Sequence, residues 1–295
     1  RVNAFSEDSL GFIWLGTSNG INRYNGSTYT IYFDEEGQNT MEFDNILDMF
    51  HDEDGTLWFS SECGFSVLRN GRILREGKTE ALYNPINKIL NINDTTVLTA
   101  GIRGLGLTRK SDLQFLGGYY QNGMSSLEHN IISSKGQIWF SHESNDSTFI
   151  RTLENHFNIE RNEGTSGDGF REVFCRFIGK DVKVNGICEL PDGSIIVSTE
   201  KKGMKRFLGK EEIPLSNNLK RMNTGSSLLF IQPFLNGILV GQRNIGIRYW
   251  DMDKDIVTTL FPKEKLKEAS YTCFVDSNNN IYLTDHKNGF KSYKH

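Results

Sequence analysis

The chain has 295 residues, and its 33 Lys and Arg against 37 Asp and Glu give a formal net charge of −4. This near-balance leaves no basic surface for a phosphate backbone, so we predict no direct contact with nucleic acid. Hydrophobic residues make up 37% and charged residues 24%, which is typical of globular proteins and excludes a disordered chain. No apolar run reaches the roughly 18 residues of a membrane-spanning helix.

Glycines and aromatic residues indicate an all-β protein. The sequence contains 29 Gly, and 12% of its residues are aromatic. Aromatic residues favour strands and Gly favours tight turns, so many of both predict many short strands joined by turns.

An internal repeat runs along the whole chain. Its turn positions are separated by 44, 39, 42, 57, 44 and 42 residues, and they are Gly11, Gly55, Asp94, Gly136, Gly193, Gly237 and Asn279. These spacings describe seven copies of a unit of about 42 residues. The longest spacing leaves about 15 extra residues near 162–169, whose Gly, Ser and Asp content predicts a surface loop.

Each copy follows the same order of predicted elements. An apolar strand reaches the turn, and a second strand with Trp or an aliphatic residue follows, as in residues 13–17 and 57–61. A third strand opens with Gly and an apolar residue, as at Gly20 and Gly64, and a less regular fourth strand completes the unit, as in residues 29–33. This order predicts a four-stranded antiparallel sheet.

One such sheet cannot bury both faces, whereas seven arranged radially can pack their second-strand side chains between neighbours. The sequence therefore predicts a single seven-bladed β-propeller over residues 1–295. The last copy stops after its third strand at Tyr293. We expect the chain to be one piece of a longer protein, with the closing strand just before Arg1 or just after His295.

The first repeat carries a recognisable motif. Residues 8–24 read Asp8-x-x-Gly11-Phe12-Ile13-Trp14-Leu15-Gly16-Thr17-x-x-Gly20-Ile21-Asn22-Arg23-Tyr24. This motif resembles the two-component regulator propeller repeat, strongly in the first copy, well in the second and fourth, and weakly in the others.

The resemblance implies a hybrid two-component sensor of the kind found in gut Bacteroidetes. The periplasmic part of such sensors has two seven-bladed propellers and a small β-sandwich, followed by a transmembrane helix, kinase, receiver and DNA-binding regions. They respond to oligosaccharides and regulate polysaccharide-utilisation genes. The resemblance implies that this chain is the N-terminal propeller of a periplasmic, homodimeric receptor, with the second propeller, the sandwich and an oligosaccharide as its partners.

Motifs for catalysis and metal binding are incomplete. Gly16-x-Ser18-x-Gly20 matches a hydrolase pattern but falls in a predicted strand-to-strand turn, whereas a nucleophile elbow needs a strand-to-helix turn. Residues 251–262 open like a calcium loop yet have Ile256 and Pro262 where Gly and Glu are required. We predict no catalytic residue, metal or cofactor.

The four cysteines lack the spacing of a metal site. Cys175, Cys188 and Cys273 lie in apolar stretches, which predicts small core residues. A Cys175–Cys188 disulfide is left open.

A candidate binding surface follows from the predicted geometry. Turns between second and third strands should meet on one face, and they carry large polar side chains at Ser18, Asn19, Glu62, Arg103, His142, Glu143, Lys201, Lys202, Arg243, Asn244, His286 and Lys287. Connections between blades should add Tyr83, Asn84, Tyr119, Tyr120 and Gln121. Such groups can bind sugar hydroxyls and carboxylates, and the excess of cations favours an acidic or sulfated sugar. The alternatives are that exposed turns are simply polar and that the tyrosines pack on a neighbouring blade.

Three hypotheses for function remain. The leading one is a non-catalytic periplasmic sensor domain that binds an oligosaccharide. A propeller lyase or glycosidase would need catalytic carboxylates, for which the turns offer only Glu62 and Glu143. A scaffold used for dimerisation or for packing on other domains is the third.

Overall fold

The structure is a computed structural model that describes residues 1–32, 45–75, 85–102, 104–120, 129–155, 169–222, 228–266, 272–285 and 289–294. The strands form seven sheets. The first sheet comprises β1 (Val2–Glu7), β2 (Ile13–Thr17), β3 (Gly20–Tyr24) and β4 (Tyr29–Tyr32). The second comprises β5 (Ile46–His51), β6 (Leu57–Ser61), β7 (Gly64–Arg69) and β8 (Arg72–Arg75), and the third β9 (Ile86–Asn91), β10 (Thr96–Gly101), β11 (Gly104–Arg109) and β12 (Phe115–Tyr120).

The fourth sheet comprises β13 (Asn130–Ile132), β14 (Gln137–Ser144), β15 (Ser147–Asn155) and β16 (Phe170–Lys180). The fifth comprises β17 (Val184–Glu189), β18 (Ile195–Thr199), β19 (Gly203–Leu208) and β20 (Glu211–Ile213). The sixth comprises β21 (Leu228–Phe234), β22 (Gly237–Gln242), β23 (Gly246–Asp251) and β24 (Ile256–Pro262), and the seventh β25 (Cys273–Val275), β26 (Ile281–Asp285) and β27 (Gly289–Tyr293). Helix α1 (Asn217–Met222) precedes β21, and a 3-10 turn (Lys263–Lys265) follows β24.

Strands within each sheet follow the order of the chain, and each pairs antiparallel with the next. Within the described part of the chain, the seventh sheet has three strands and the other six have four. The predicted fold class, a seven-bladed β-propeller with four-stranded antiparallel blades, is confirmed.

The chain forms two compact units. The first consists of Arg1–Glu128, His142–Ser144 and Leu153–Glu172 and contains the first three sheets. The second consists of His129–Ser141, Asn145–Thr152 and Val173–His295 and contains the last three. Strands of the fourth sheet contribute residues to both.

The turns between first and second strands show why the repeat spacing is readable in the sequence. The Gly11 N–H donates to the Asp8 carbonyl (2.9 Å), and the Asp8 N–H donates to the Phe12 carbonyl (3.0 Å). This geometry needs a left-handed residue in the fourth position of the turn, where Gly11 has a φ of 80°. The same left-handed φ occurs at four further predicted turn positions, namely Gly55, Gly136, Gly193 and Asn279.

The third and sixth turns depart from this pattern. In the third, the Asn93 side chain accepts the N–H groups of Thr95 and Thr96 (both 2.9 Å). In the sixth, Leu235 has the positive φ, of 49°. Gly237 is the first residue of β22, and a Cβ there would lie 1.9 Å from the Trp250 carbonyl oxygen.

Apolar clusters join successive sheets. Trp58 of β6 is fully buried and packs with Phe65 of its own sheet and with Ile86 and Ile89 of the third. In the second unit, Trp139 of β14 packs in the same way with Val184, Ile187 and Val197 of the fifth sheet, among others. The expectation that aromatic residues of second strands lie between blades is confirmed for these two tryptophans.

First strands of neighbouring sheets are also joined by hydrogen bonds. Asn3 of β1, at a bulge, donates from Nδ2 to the Ile46 carbonyl of β5 (3.0 Å). Asn185 of β17 occupies the matching bulge and donates to the Leu228 carbonyl of β21 (2.5 Å). These asparagines satisfy backbone carbonyls at the start of the next sheet.

A buried ion pair connects the second and third sheets. Lys110 Nζ lies 2.6 Å from Asp52 Oδ2, and their side chains are only 8% and 9% exposed. Arg69 joins the same contact by donating from Nη2 to the Lys110 carbonyl (3.2 Å) and from Nε to Thr56 Oγ1 (3.0 Å).

Breaking this pair should be costly. Lys110→Met leaves the Asp52 carboxylate buried without its cation, and we expect a loss of about 3–5 kcal/mol in the free energy of unfolding. Arg171→Met is the control, because Arg171 pairs with Glu154 at 2.6 Å while 66% exposed, and its loss should cost less than about 1 kcal/mol. Urea unfolding measures both, and equal losses would contradict a structural role for the buried pair.

His51 of β5 lies against the first sheet. The backbone N–H of His51 donates to Ser6 Oγ (2.9 Å). The same Ser6 Oγ lies 3.0 Å from the ring nitrogen Nδ1 of His51. Because the Ser6 hydroxyl accepts the backbone N–H, its own hydrogen is free to be donated to Nδ1 of the ring. An Nδ1 that accepts a hydrogen bond belongs to a neutral imidazole. Burial lowers the pKa of His51 to about 4, with Asp8 acting to raise it and Arg23 to lower it further.

Stability should therefore depend on pH through His51. Between pH 6.5 and about 4, the unfolded chain binds a proton on this ring that the folded chain does not bind. The free energy of unfolding should fall as the pH is lowered through this window. His51→Gln should flatten this part of the profile, measured by urea unfolding at each pH. A slope identical to that of the unmodified protein would count against a buried neutral His51.

Candidate functional site

The turn face is defined here as the turns between second and third strands together with the adjoining connections between blades. In the first unit, Asn45, which precedes β5, contacts two of these turns. Its N–H donates to the Ser18 carbonyl (3.1 Å), and its side chain donates from Nδ2 to Glu62 Oε1 (2.5 Å). Asn45 thus contacts the turns of both the first and the second sheet.

Predicted residues Asn19 and Glu62 lie on the turn face of the first unit, and both are exposed. Thr17 shapes the first turn, because its Oγ1 accepts the Asn19 N–H (3.0 Å) and donates to the Gly20 carbonyl (2.8 Å). Gly20 follows with a φ of 94°. The backbone of this turn is held locally, which leaves the Asn19 amide available to a ligand.

Tyr119 is half-buried at the end of β12, next to the start of β11. Its hydroxyl donates to Glu172 Oε2 (3.0 Å), an acceptor that the sequence analysis did not identify. This hydrogen bond joins the phenol of Tyr119 to the start of β16. Tyr120 pairs with Gly104 in the same register, and its side chain lies outside the described residues.

The prediction that His142 and Glu143 lie in the turn of the fourth sheet is wrong. Strand β14 continues through both to Ser144, and the chain reverses at Asn145 and Asp146, which have φ values of 48° and 59°. His142 is 3% exposed inside the strand, where a ligand has no access to it. The longer strand shifts the reversal beyond the position that the repeat predicted.

In the second unit, the structure places Lys202 and Arg243 in the turns, as predicted, and both are exposed. The Lys202 N–H donates to Thr199 Oγ1 (3.0 Å). The Lys202 side chain packs over Gly179, where a Cβ would come within 2.5 Å of Nζ. The remaining candidates, Arg103, His286, Lys287, Tyr83, Asn84 and Gln121, lie outside the described residues.

Arg248 of β23 is a turn-face residue that the sequence analysis missed. Its Nε donates to Gln242 Oε1 (2.8 Å), and its Nη2 donates to the Met222 carbonyl at the end of α1 (3.2 Å). Burial lowers its pKa. The repeat gave no signal for it, because Arg248 lies inside the third strand, at the position of Asn22 in the first copy, and not in a turn.

The acidic residues at 251–255 shape their own hairpin. Asp251 Oδ1 accepts from Asn236 Nδ2 (3.0 Å) and from the Lys254 N–H (3.0 Å). Asp255 Oδ1 accepts the Trp250 indole N–H (2.8 Å). These acidic residues therefore hold the turn between β23 and β24.

A cleft of about 600 Å³ lies at the opposite end of the second and third sheets, entirely within the first unit. Its lining is mostly charged and consists of Asp52, Glu53, Asp54, Arg69, Asp94, Thr95, Arg109, Lys110 and Ser111. Two of the cations are already paired, Lys110 with Asp52 and Arg109 with Asp112 (2.9 Å). The pair of Lys110 with Asp52 in this cleft therefore stabilises the contact between the second and third sheets.

Among the described residues, no three His, Cys, Asp or Glu side chains are grouped so that they could hold a metal ion. The same part of the chain contains no helix long and apolar enough to cross a membrane. Cys175 and Cys188 are not joined, since all four cysteines are free. Cys188 is buried as expected, whereas Cys175 is exposed on β16.

Sequence comparisons find no relative for this chain, since no family model and no curated protein matches it. Solved structures do match. The extracellular domain of the hybrid two-component system BT3049 from B. thetaiotaomicron is 16% identical with a TM-score of 0.71, over 99% of this chain and 39% of that one. The extracellular domain of BT4673, from the same organism, is 16% identical with a TM-score of 0.70, over 100% and 38%. The chain thus spans about two fifths of the length of these extracellular domains.

An enzyme is also among the similar structures. Virginiamycin B lyase from Staphylococcus aureus is 12% identical with a TM-score of 0.65, over 96% of this chain and 90% of that one. At such low identities the likeness shows the propeller fold alone.

The free thiols provide a check on the turn face. Cys63, next to Glu62, and Cys175 are exposed, whereas burial raises the pKa of Cys188 to about 12 and also raises that of Cys273. We expect two thiols to react quickly with Ellman's reagent in the folded protein and all four in urea. Cys63→Ser should remove one fast equivalent. An unchanged fast count would show that Cys63 is not accessible at the turn.

Proposed function

We propose that this chain is a non-catalytic ligand-binding domain of a periplasmic sensor, part of a hybrid two-component receptor that recognises an oligosaccharide on the turn face. The observation that carries this proposal is the likeness of the whole chain to about two fifths of two B. thetaiotaomicron extracellular domains, BT3049 and BT4673, the first of them from a hybrid two-component system. In such a receptor, the chain is one propeller of a larger extracellular region, and ligand binding on it biases the arrangement of the dimer.

The chemistry of the turn face supports sugar recognition. In the second unit, Lys202 and Arg243 are exposed polar side chains on turns whose backbone is held by strand pairing. In the first unit, the same is true of Asn19. Amide and guanidinium groups in fixed positions form directional hydrogen bonds with hydroxyls and carboxylates. Rigid turns also lower the conformational entropy that a binding site loses when the ligand binds.

Catalysis is the second candidate, because virginiamycin B lyase has the same fold. The two carboxylates named for it are not equivalent here. Glu62 accepts a hydrogen bond from Asn45 on the turn face of the first unit, whereas Glu143 is a residue of strand β14. This arrangement favours binding over acid–base chemistry by that pair.

Calorimetric titration with a panel of neutral and acidic oligosaccharides tests the proposal. We expect a saccharide to bind without being converted, and Arg243→Ala to weaken its binding about tenfold or more, because a hydrogen bond to a charged group is lost. Lys254→Ala is the control, since this exposed cation lies in the hairpin at the other end of the sixth sheet.

Chromatography of the sugars after incubation separates the two candidate functions. Unchanged sugars agree with a sensor domain, and turnover that is lost in Glu62→Gln would overturn the non-catalytic proposal. A failure of every saccharide to bind would refute oligosaccharide recognition by this chain and would leave the scaffold hypothesis.

A further inference from the structure

The turn face of the second unit carries a concentration of positive charge. We define the cationic strip as Lys183, Lys201, Lys202, Arg243, Arg248 and Lys263. All six lie in or beside the turns of the fifth and sixth sheets. The turns and adjoining residues of this face, at 145–146, 180–183, 200–202, 242–248 and 263–264, hold seven cations and four carboxylates, in a chain whose net charge is −4.

Backbone contacts bring these residues to the two turns. The Glu200 N–H donates to the Lys183 carbonyl (2.8 Å), which places Lys183 beside the turn that contains Lys201 and Lys202. The Lys263 N–H donates to the Ile245 carbonyl (3.0 Å), which places Lys263 beside the turn that contains Arg243. The two sheets are neighbours, since Asn185 of β17 bonds to β21.

In the part of the chain that the structure describes, no carboxylate neutralises the cations of the strip. Among the described residues, none of the six has a carboxylate oxygen within 4 Å, whereas Lys205 and Arg206 on the same fifth sheet are each paired, with Glu212 and Asp192. Cations without a carboxylate partner on neighbouring turns repel one another, and an anionic ligand relieves this repulsion.

Arg248 adds an independent observation. Its guanidinium is partly withdrawn from solvent, and the acceptors that it reaches are neutral, namely the Gln242 side chain and the Met222 carbonyl. Burying a cation without an anionic partner raises the free energy of the folded protein, because lost hydration is not replaced by an ion pair. Gln242 ends β22 at the turn that contains Arg243, so this fixed guanidinium lies at the same end of the sheet.

The first unit differs at its turn face. Its described turns there, at 17–20, 61–64 and 101–102, include one charged side chain, Glu62, and the exposed amide of Asn19. The cation Arg1 lies beside the first of these turns, because the Ser18 N–H donates to the Arg1 carbonyl (3.0 Å). Within the described turns between second and third strands, the cations therefore lie in the second unit.

We propose that the cationic strip binds an oligosaccharide carrying sulfate or carboxylate groups. This inference rests on the proposed function and specifies its ligand class. Arg243 supplies a planar guanidinium group that matches an oxyanion in two-point contacts. Arg248 adds the donors of Nη1, because its Nε and Nη2 already donate to Gln242 and Met222. The lysines supply point charges that can follow anionic groups along a chain. A strip over two neighbouring sheets suits a ligand with more than one charged sugar.

The test compares matched saccharides by calorimetry. The probes are chitotetraose as the neutral ligand, tetragalacturonate and unsulfated chondroitin tetrasaccharide as carboxylates, and chondroitin sulfate and heparin tetrasaccharides as sulfated ligands. We expect at least one anionic probe to bind tenfold or more tightly than chitotetraose. Its affinity should fall when NaCl is raised from about 50 to 300 mM, because salt screens exposed charges.

Variants then locate the site. Lys202→Gln with Arg243→Gln should reduce the affinity for the anionic probe by ten- to a hundredfold, whereas Lys202→Arg should retain it. Lys254→Gln changes the net charge by the same amount as one of these substitutions but lies away from the strip, and it should have no effect. Arg248→Gln should also weaken binding, and circular dichroism confirms that each variant folds.

The outcomes separate this inference from the proposed function. Equal binding of neutral and anionic probes, unaffected by the strip variants, would overturn the inference and leave oligosaccharide recognition standing. Anionic binding that Lys254→Gln weakens as much as the strip variants would overturn the location. If no saccharide binds, both proposals fail.

Discussion

A four-stranded sheet of this chain has two apolar faces and no partner within its own repeat, and the rest of the structure follows from this constraint. Trp58 and Trp139 can leave water only where the next sheet covers them. Bonds from Asn3 and Asn185 to the carbonyls of the next first strand then hold that contact. Each sheet is therefore stabilised by its neighbours, which is the general property of repeat architectures.

The charged residues at the two ends of the sheets differ in whether they have partners within the protein. At the end where first and second strands turn, charged residues serve the protein itself, as in the buried pair of Asp52 with Lys110 and the hairpin bonds of Asp251. At the turn face, Lys202 and Arg243 have no such internal partner among the described residues. Side chains that the fold does not use are the ones available to a ligand, which is why the candidate site lies there.

Much of the architecture was predictable from the sequence because the repeat specifies local chemistry. Gly11 and Gly55 are needed for left-handed turns. A glycine before an apolar residue marks the third strand in six of the seven sheets, and the exception is β15, which begins at Ser147. The candidate site was predictable only where this register holds. The repeat placed Asn19, Lys202 and Arg243 in turns, where the structure also has them. It failed for His142, because strand β14 extends to Ser144 and His142 is a buried residue of that strand. Strand length depends on packing against other strands, which a repeat period does not report.

By itself, the sequence determined the number of repeats, the strand order within each and the residues at most turns, because turn conformation and hydrophobic alternation are local properties. Only the tertiary structure decided which charged groups are neutralised and which remain open. Lys110 and Arg243 are both cations next to a turn, yet one is buried against Asp52 of another sheet and the other is exposed. That difference arises from partners some 40 or more residues away in the chain, brought together only when the sheets pack.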